Sequence, residues 1–227
     1  MSNVCIILGK SGTGKSTSIK TLNPDETIVI NVLETKRLPF KGCLSMYNKE
    51  KKNFFHMDDV EQISKLMKQV SLNVPKCKNI VIDDSTYIMR EEFFARAKEK
   101  GYEKFTEIAV HFKNLISAAG SLRDDLNIFF ILHSEDVVSD GCIVEYKVAT
   151  VGKMLETQYG IMETVTALLY SDVLFDDKKE CKYGFHTNRC MKGETIIPAK
   201  SPEGMFDDEF IPNDLQYVAN KMEEYYK

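Results

Sequence analysis

Val4-Cys5-Ile6-Ile7-Leu8, followed by Gly9-Lys10-Ser11-Gly12-Thr13-Gly14-Lys15-Ser16, is the stretch that decides the fold. The apolar run is short and bounded by glycine, which suits a strand buried on both faces. The eight residues after it satisfy GxxxxGK[ST] in full. Glycines let the backbone curl until successive N–H groups point inward, and such a concavity holds phosphate oxygens. The segment from Lys15 to Thr21 is helix-compatible and would aim its N-terminal dipole at the same anion. In this P-loop pattern Lys15 reaches the β- and γ-phosphates and the Ser16 hydroxyl serves Mg²⁺. Gly9, Lys10, Ser11, Gly12, Thr13, Gly14 and Thr17 complete the cradle, so ATP, or a related triphosphate, and Mg²⁺ are the expected cofactors. Chance would give the pattern in roughly one random chain of this length in a hundred, before the flanking strand and helix are counted.

Working outward, Asn79 to Ile82 reads as a second apolar strand that ends in Asp83-Asp84. Ligands of open α/β sheets sit at that end of the strands, so Asp83 is expected to orient the Mg²⁺ shell; Asp84 either shares the role or caps the next helix. Further strands are expected at Thr27–Leu33, closed by Glu34, at Phe54–Met57, at Asn127–Leu132, closed by His133, and at Thr164–Tyr170 and Lys182–Thr187. Helices are expected at Val60–Val70 behind an Asp58 N-cap, near Tyr87–Lys100 and Glu103–Leu122, and from Pro212 at the first helical position to about residue 226. Lys36 to Lys52 reads as irregular and basic, Ser134 to Val151 as a polar loop or hairpin, and residues 176–179 as a turn. This order predicts an α/β fold: a mostly parallel central sheet flanked by helices, with antiparallel strands added near the C-terminus, in one domain over residues 1–227.

Composition excludes several classes. The 227 residues are 43% hydrophobic and 28% charged, ordinary for a globular protein large enough to bury a core without cross-links. Six cysteines without CxxC spacing read as free thiols, and the four histidines lack zinc-type spacing with them. There is no apolar run of membrane-spanning length and no signal-peptide pattern, so a cytoplasmic location without a membrane partner is expected. A net charge of −4 argues against a surface coated with basic residues, though a local basic groove is compatible with it.

A P-loop alone does not separate kinases, GTPases, motors and recombinases. The order of GKSGTGKS (9–16), NVLETKRL (31–38), NIVIDDST (79–86), FFILHSE (129–135), VGKMLE (151–156), FHTNR (185–189) and AKSPEGMF (199–206) resembles the minimal RecA-core ATPases of bacteriophages, which include recombinases and single-strand annealing proteins. The first motif is specific by itself; the others contribute by order and spacing. The resemblance implies a RecA-like P-loop NTPase. Glu34 would orient or deprotonate the attacking water, and His133 would sense the γ-phosphate, where relatives commonly have Gln. Arg189 would reach a neighbouring subunit's ATP, which makes a homo-oligomer, ring or filament-like, the expected assembly. It also implies that the segment after His133 touches single-stranded DNA. Tyr146 is the candidate for base stacking and Lys147 and Lys153 for phosphates, although Glu135, Asp136, Asp140 and Glu145 make the first half of that segment acidic. A phage protein would act in the host cytoplasm, with a single-stranded DNA-binding protein as a further partner.

The expected activity is therefore DNA-dependent ATP hydrolysis that controls annealing or strand exchange. Two other readings stay open: a P-loop nucleoside or nucleotide kinase, for which no Arg-rich lid is evident, and a non-catalytic, nucleotide-gated replication or defence accessory protein. All three require the phosphate grip. Lys15→Ala should abolish triphosphate binding, a loss of roughly a hundred-fold or more, because the phosphate charge loses its counterion; unchanged affinity by calorimetry would contradict the motif reading.

Overall fold

A computed structural model of the chain describes every residue except Asp177, and describes Glu156 by its backbone only. The central sheet is built from β1 (Asn3–Gly9), β2 (Thr27–Asn31), β3 (Phe54–His56), β4 (Asn79–Asp83), β5 (Asn127–Ser139), β7 (Ala167–Phe175), β8 (Cys181–His186) and β11 (Phe210–Pro212), in the spatial order β11-β8-β7-β1-β5-β4-β2-β3. From β7 to β3 all neighbours run parallel; β8 and β11 extend the sheet by antiparallel pairing. The expected mostly parallel α/β architecture is thus present, with its antiparallel additions contributed by the later strands.

Alternation along the strands builds two cores. Ile6, Leu8, Ile30, Ile82, Phe130 and Leu132 face α2 (Val60–Asn73), α3 (Thr86–Ala95) and α4 (Glu103–Gly120), which contribute Ile63, Met67, Ile88, Phe112 and Leu115. Cys5, Ile7, Val29, Val81, Phe129 and Ile131 face the opposite layer, formed by Ile19, Leu22, Tyr47 and α5 (Leu215–Tyr225). Covering on both faces explains why these strands read as continuous apolar runs. Among the described residues, no helix is long and apolar enough to cross a membrane.

The helix expected after Lys15 is present, as a 3₁₀ helix over Ser16–Thr21, and three other local expectations are corrected. The Ser18 and Thr21 hydroxyls donate to the carbonyls of Lys15 and Ser18, and Asn23-Pro24 forbids extension. So short a turn carries little macrodipole, which leaves anion attraction to the loop N–H groups and lysines. His133 does not close its strand: β5 continues to Ser139 and returns as β6 (Cys142–Val148). Asp140 and Gly141 at the turn have φ of 51° and 81°, the left-handed pair favoured by two-residue hairpins. This resolves the loop-or-hairpin alternative for the segment after His133. Pro212 ends β11 instead of opening the last helix, which starts at Leu215 because the Asp214 carboxylate accepts the Tyr217 N–H as its N-cap. By the same chemistry Asp59, not Asp58, caps α2 by accepting the Gln62 N–H.

The remaining departures are shifts in bounds and a few added short elements, among them a helical turn over Leu155–Tyr159. A short α1 (Cys43–Met46) interrupts the segment read as irregular, and two small strands, β9 (Cys190–Lys192) and β10 (Thr195–Ile197), link β6 to the rest of the late chain. The turn expected over residues 176–179 includes Asp177, which lies outside the described residues.

Phe130 is fully buried on β5 and meets the Phe112 ring of α4 edge-on at 6.4 Å. Phe130→Ala should destabilise the protein by about 3–5 kcal/mol in urea denaturation. The same change at Phe94, which is 68% exposed, should stay within about 0.5 kcal/mol. Equal losses at the two positions would refute the assignment of the core.

Candidate functional site

The carboxyl ends of β1 and β4 and the middle of β5, at His133, converge on one cleft of about 710 Å³, floored by the 9–16 loop. Its walls include Lys20, Lys36, Asp84, His133, Tyr183 and Asn213. The loop is folded around its own lysine: the Lys15 ammonium donates to the carbonyls of Gly9 at 2.7 Å and Lys10 at 2.6 Å. The Thr13 hydroxyl donates to the Lys10 carbonyl, closing the curl. From outside, Ser171 of β7 donates its hydroxyl to the Thr13 carbonyl, and the Asn213 amide donates to the Gly14 carbonyl. These clamps leave no room for side chains. A Cβ on Gly9 would lie 2.7 Å from the Ser171 carbonyl oxygen, and one on Gly14 would lie 2.2 Å from the Asn213 amide nitrogen. Gly14 also has a φ of +93°, which side chains rarely adopt.

Opposite the loop stands the acidic pair at the end of β4. Asp83 is buried and accepts the Ser16 hydroxyl at 2.7 Å. Burial, and then the neighbouring Asp84 charge, push its carboxyl up to about 6. Asp84 occupies the left-handed region at φ 58°. Burial opposes its charge as well, but His133 Nε2 at 3.3 Å and Lys36 Nζ at 2.6 Å outweigh it and hold the carboxyl below its ordinary value. Lys15, also buried, is lowered to about 8 by desolvation, against the attraction of Asp84 and Asp83. A buried carboxylate joined to a hydroxyl, beside a desolvated ammonium, is a donor set of the kind that takes a hard divalent cation and an anionic oxygen ligand.

Lys10 couples the loop to the hairpin. Its ammonium pairs with Asp136 of β5 at 3.0 Å and lies 4.8 Å from the centre of the Tyr146 ring of β6, which in turn stacks on Tyr170. Of the residues singled out in the sequence, Lys10, Lys15, Ser16, Asp83 and His133 therefore belong to one connected region. Glu34 is exposed, past the end of β2, and lines a smaller adjoining hollow with Arg37 and Lys36. Arg189 is exposed between β8 and β9, and Lys153 is exposed beyond β6. Tyr146 is half-buried in its stack, and Lys147 pairs with Glu135.

Sequence reasoning missed Lys36, Ser171, Asn213 and Asp136. Lys36 carried a signal, a cation soon after the strand that neighbours β4, but its partner Asp84 is distant in sequence. Ser171 and Asn213 had none, because their function is to pack against backbone. Asn213 Oδ1 is, moreover, a buried acceptor with no hydrogen-bond partner among the described residues, and such an atom is costly to leave unmatched. No protein-family model matches the chain, and no curated protein matches it.

The shift at Asp83 has a defined sign. A carboxyl raised from 3.8 to about 6 binds its proton more tightly when folded, so its charge progressively costs stability as pH rises from about 4 through 6. Without divalent ions, Asp83→Asn should therefore unfold later than wild type at pH 7.5, by an amount of the order of 2 kcal/mol. That advantage should vanish below about pH 4, where both side chains are neutral. A variant less stable than wild type at pH 7.5 would show that the Asp83 charge is compensated in the ligand-free protein.

Proposed function

We propose that the chain is a Mg²⁺-dependent P-loop ATPase of RecA-like type that binds single-stranded DNA and promotes annealing or strand exchange. The observation that carries the ATPase reading is the Ser16–Asp83 hydrogen bond beside the caged Lys15. It brings the two groups read as cation ligands to one point, at the end of the sheet where the glycine loop opens. Ser16 and Asp83 would hold the cation, which supplies positive charge against the phosphate oxygens. Lys15 is already desolvated and exchanges its bonds to loop carbonyls for bonds to phosphate. In water an ammonium gives up strong hydration to do this; here that cost was met on folding.

Asp84 and His133 give the site a position from which phosphate occupancy is felt elsewhere. His133 sits on β5 immediately before the hairpin, and its N–H donates to the Thr86 hydroxyl at the start of α3. An anion drawing on Lys36 or His133 competes with Asp84 for them. Lys10, which bridges the loop to Asp136, offers a second connection. Both support the reading that nucleotide state governs the hairpin, the segment proposed to meet DNA. Arg189 is exposed and therefore accessible to a neighbouring copy, which supports a shared site in a homo-oligomer. The exposed Glu34 stands outside the cleft of a single subunit, so its proposed action on water also draws on an assembled or closed state.

Phosphate release from ATP, measured with and without single-stranded DNA across a salt series, tests this function. Turnover should need Mg²⁺ and rise with DNA, and the stimulation should fall steeply with salt as phosphate contacts are screened. Transfer of the γ-phosphoryl group to a nucleoside or nucleotide would replace the proposal with a kinase. Tight ATP binding without turnover and without a DNA effect would replace it with a nucleotide-gated accessory protein.

A further inference from the structure

A second cluster of reactive side chains lies on the far side of β7, apart from the nucleotide cleft. His186, at the end of β8, places Nε2 3.2 Å from Asp172 Oδ2 and Nδ1 3.4 Å from the Cys190 Sγ. Asp172 and His186 are each only 8% exposed. The Asp172 carboxylate also accepts the Val173 N–H at 2.8 Å and the Lys192 ammonium at 2.7 Å. The Phe210 ring closes over the imidazole edge-on, with centroids 4.9 Å apart. Three strands of separate origin thus fix one imidazole between a carboxylate and a thiol.

The protonation pattern follows from the partners. Burial works against the Asp172 charge, but the hydrogen bonds from His186, Lys192 and the Val173 N–H prevail and bring its carboxyl to about 2. An ionised carboxylate only accepts, so His186 Nε2 carries the proton and Nδ1 presents its lone pair to the sulfur. This is the order of a nucleophile, a base and a group that orients the base.

We propose that Cys190 is a nucleophilic thiol, with His186 as its base and Asp172 as the residue that orients the base, and that it takes soft carbon electrophiles such as activated alkenes. In the step, an S–C bond forms while the alkene π bond opens. The thiol proton passes to His186 Nδ1 and is then delivered to the carbanionic carbon, so no leaving group or oxidant is needed. Burial, with the Glu209 and Asp172 charges, raises the Cys190 thiol, so its reactivity rests on His186 taking the proton as the S–C bond forms. The charged groups acting on it are Glu209 and Asp172, with Lys192 paired to Asp172 and the His186 imidazole against the sulfur. Cys190 is partly exposed, which admits a small reagent.

The chain contains its own controls. Cys142 and Cys181 are exposed, while Cys5 and Cys77 are buried. With limiting N-ethylmaleimide at pH 7 and peptide mass spectrometry, Cys190 should be modified about a hundred-fold faster than Cys142 or Cys181 despite its lesser exposure, the low side of what a positioned base supplies. His186→Gln should remove the advantage and leave the rates at Cys142 and Cys181 unchanged. Wild-type Cys190 reacting no faster than those two would overturn the proposal and leave the cluster as a structural hydrogen-bond network. That ranking needs no variant to fold, so it decides the matter alone. Loss of the advantage in Asp172→Asn, with Cys142 and Cys181 again unchanged, would further support the orienting role.

Discussion

Burial of the Asp83 carboxylate beneath the 9–16 loop is the constraint around which the rest of the cleft is arranged. A carboxylate at the end of a fully covered strand has little water to solvate it, and one hydroxyl from Ser16 does not replace a hydration shell. The surroundings respond accordingly. Lys15 is drawn into the same desolvated space, Asp84 turns into the left-handed region, and Lys36 and His133 are recruited to neutralise the second charge. Glycine at positions 9 and 14 then becomes obligatory, since β7 and Asn213 press against the loop that closes over these groups. The region is tense in the sense that two carboxylates and an ammonium share a space from which most water is excluded.

Legibility in the sequence followed how local each interaction is. The strands β1, β4 and β5 were readable because each is buried on both faces and therefore continuously apolar. That Ser16 and Asp83 meet was readable because the glycine-rich spacing after β1 and the carboxyl end of β4 place them at one end of the sheet. Where a side chain competes with the backbone the reading failed: Asp214 moved the start of the last helix past Pro212. The extension of β5 beyond His133 was hidden by polar residues. Its pairing with β6 depends on the Asp140-Gly141 turn rather than on an apolar pattern. Lys36, Ser171 and Asn213 act through partners far along the chain, and no local pattern reports such contacts.

The link from loop to hairpin has a consequence for the proposed DNA surface. Tyr146 stacks on Tyr170 under the Lys10 ammonium, and Lys147 is paired with Glu135. In this conformation the candidate stacking ring is committed to the protein itself. Under the proposed function, DNA contact by Tyr146 would require the stack to open, and the Lys10–Asp136 pair would be the contact through which phosphate influences it. An ion pair of this exposure contributes little to stability, so exchanging it for phosphate is inexpensive.

The most direct test of the central claim, that Ser16 and Asp83 hold a cation beneath a triphosphate gripped by Lys15, is a crystal structure grown with Mn²⁺ and a non-hydrolysable ATP analogue. Anomalous scattering locates the metal without reference to the rest of the density. The account predicts one strong peak at the Ser16 hydroxyl and the Asp83 carboxylate, with the Lys15 ammonium moved from the Gly9 and Lys10 carbonyls onto phosphate oxygens. Metal and nucleotide bound elsewhere, or Lys15 still on its carbonyls with nucleotide present, would contradict it.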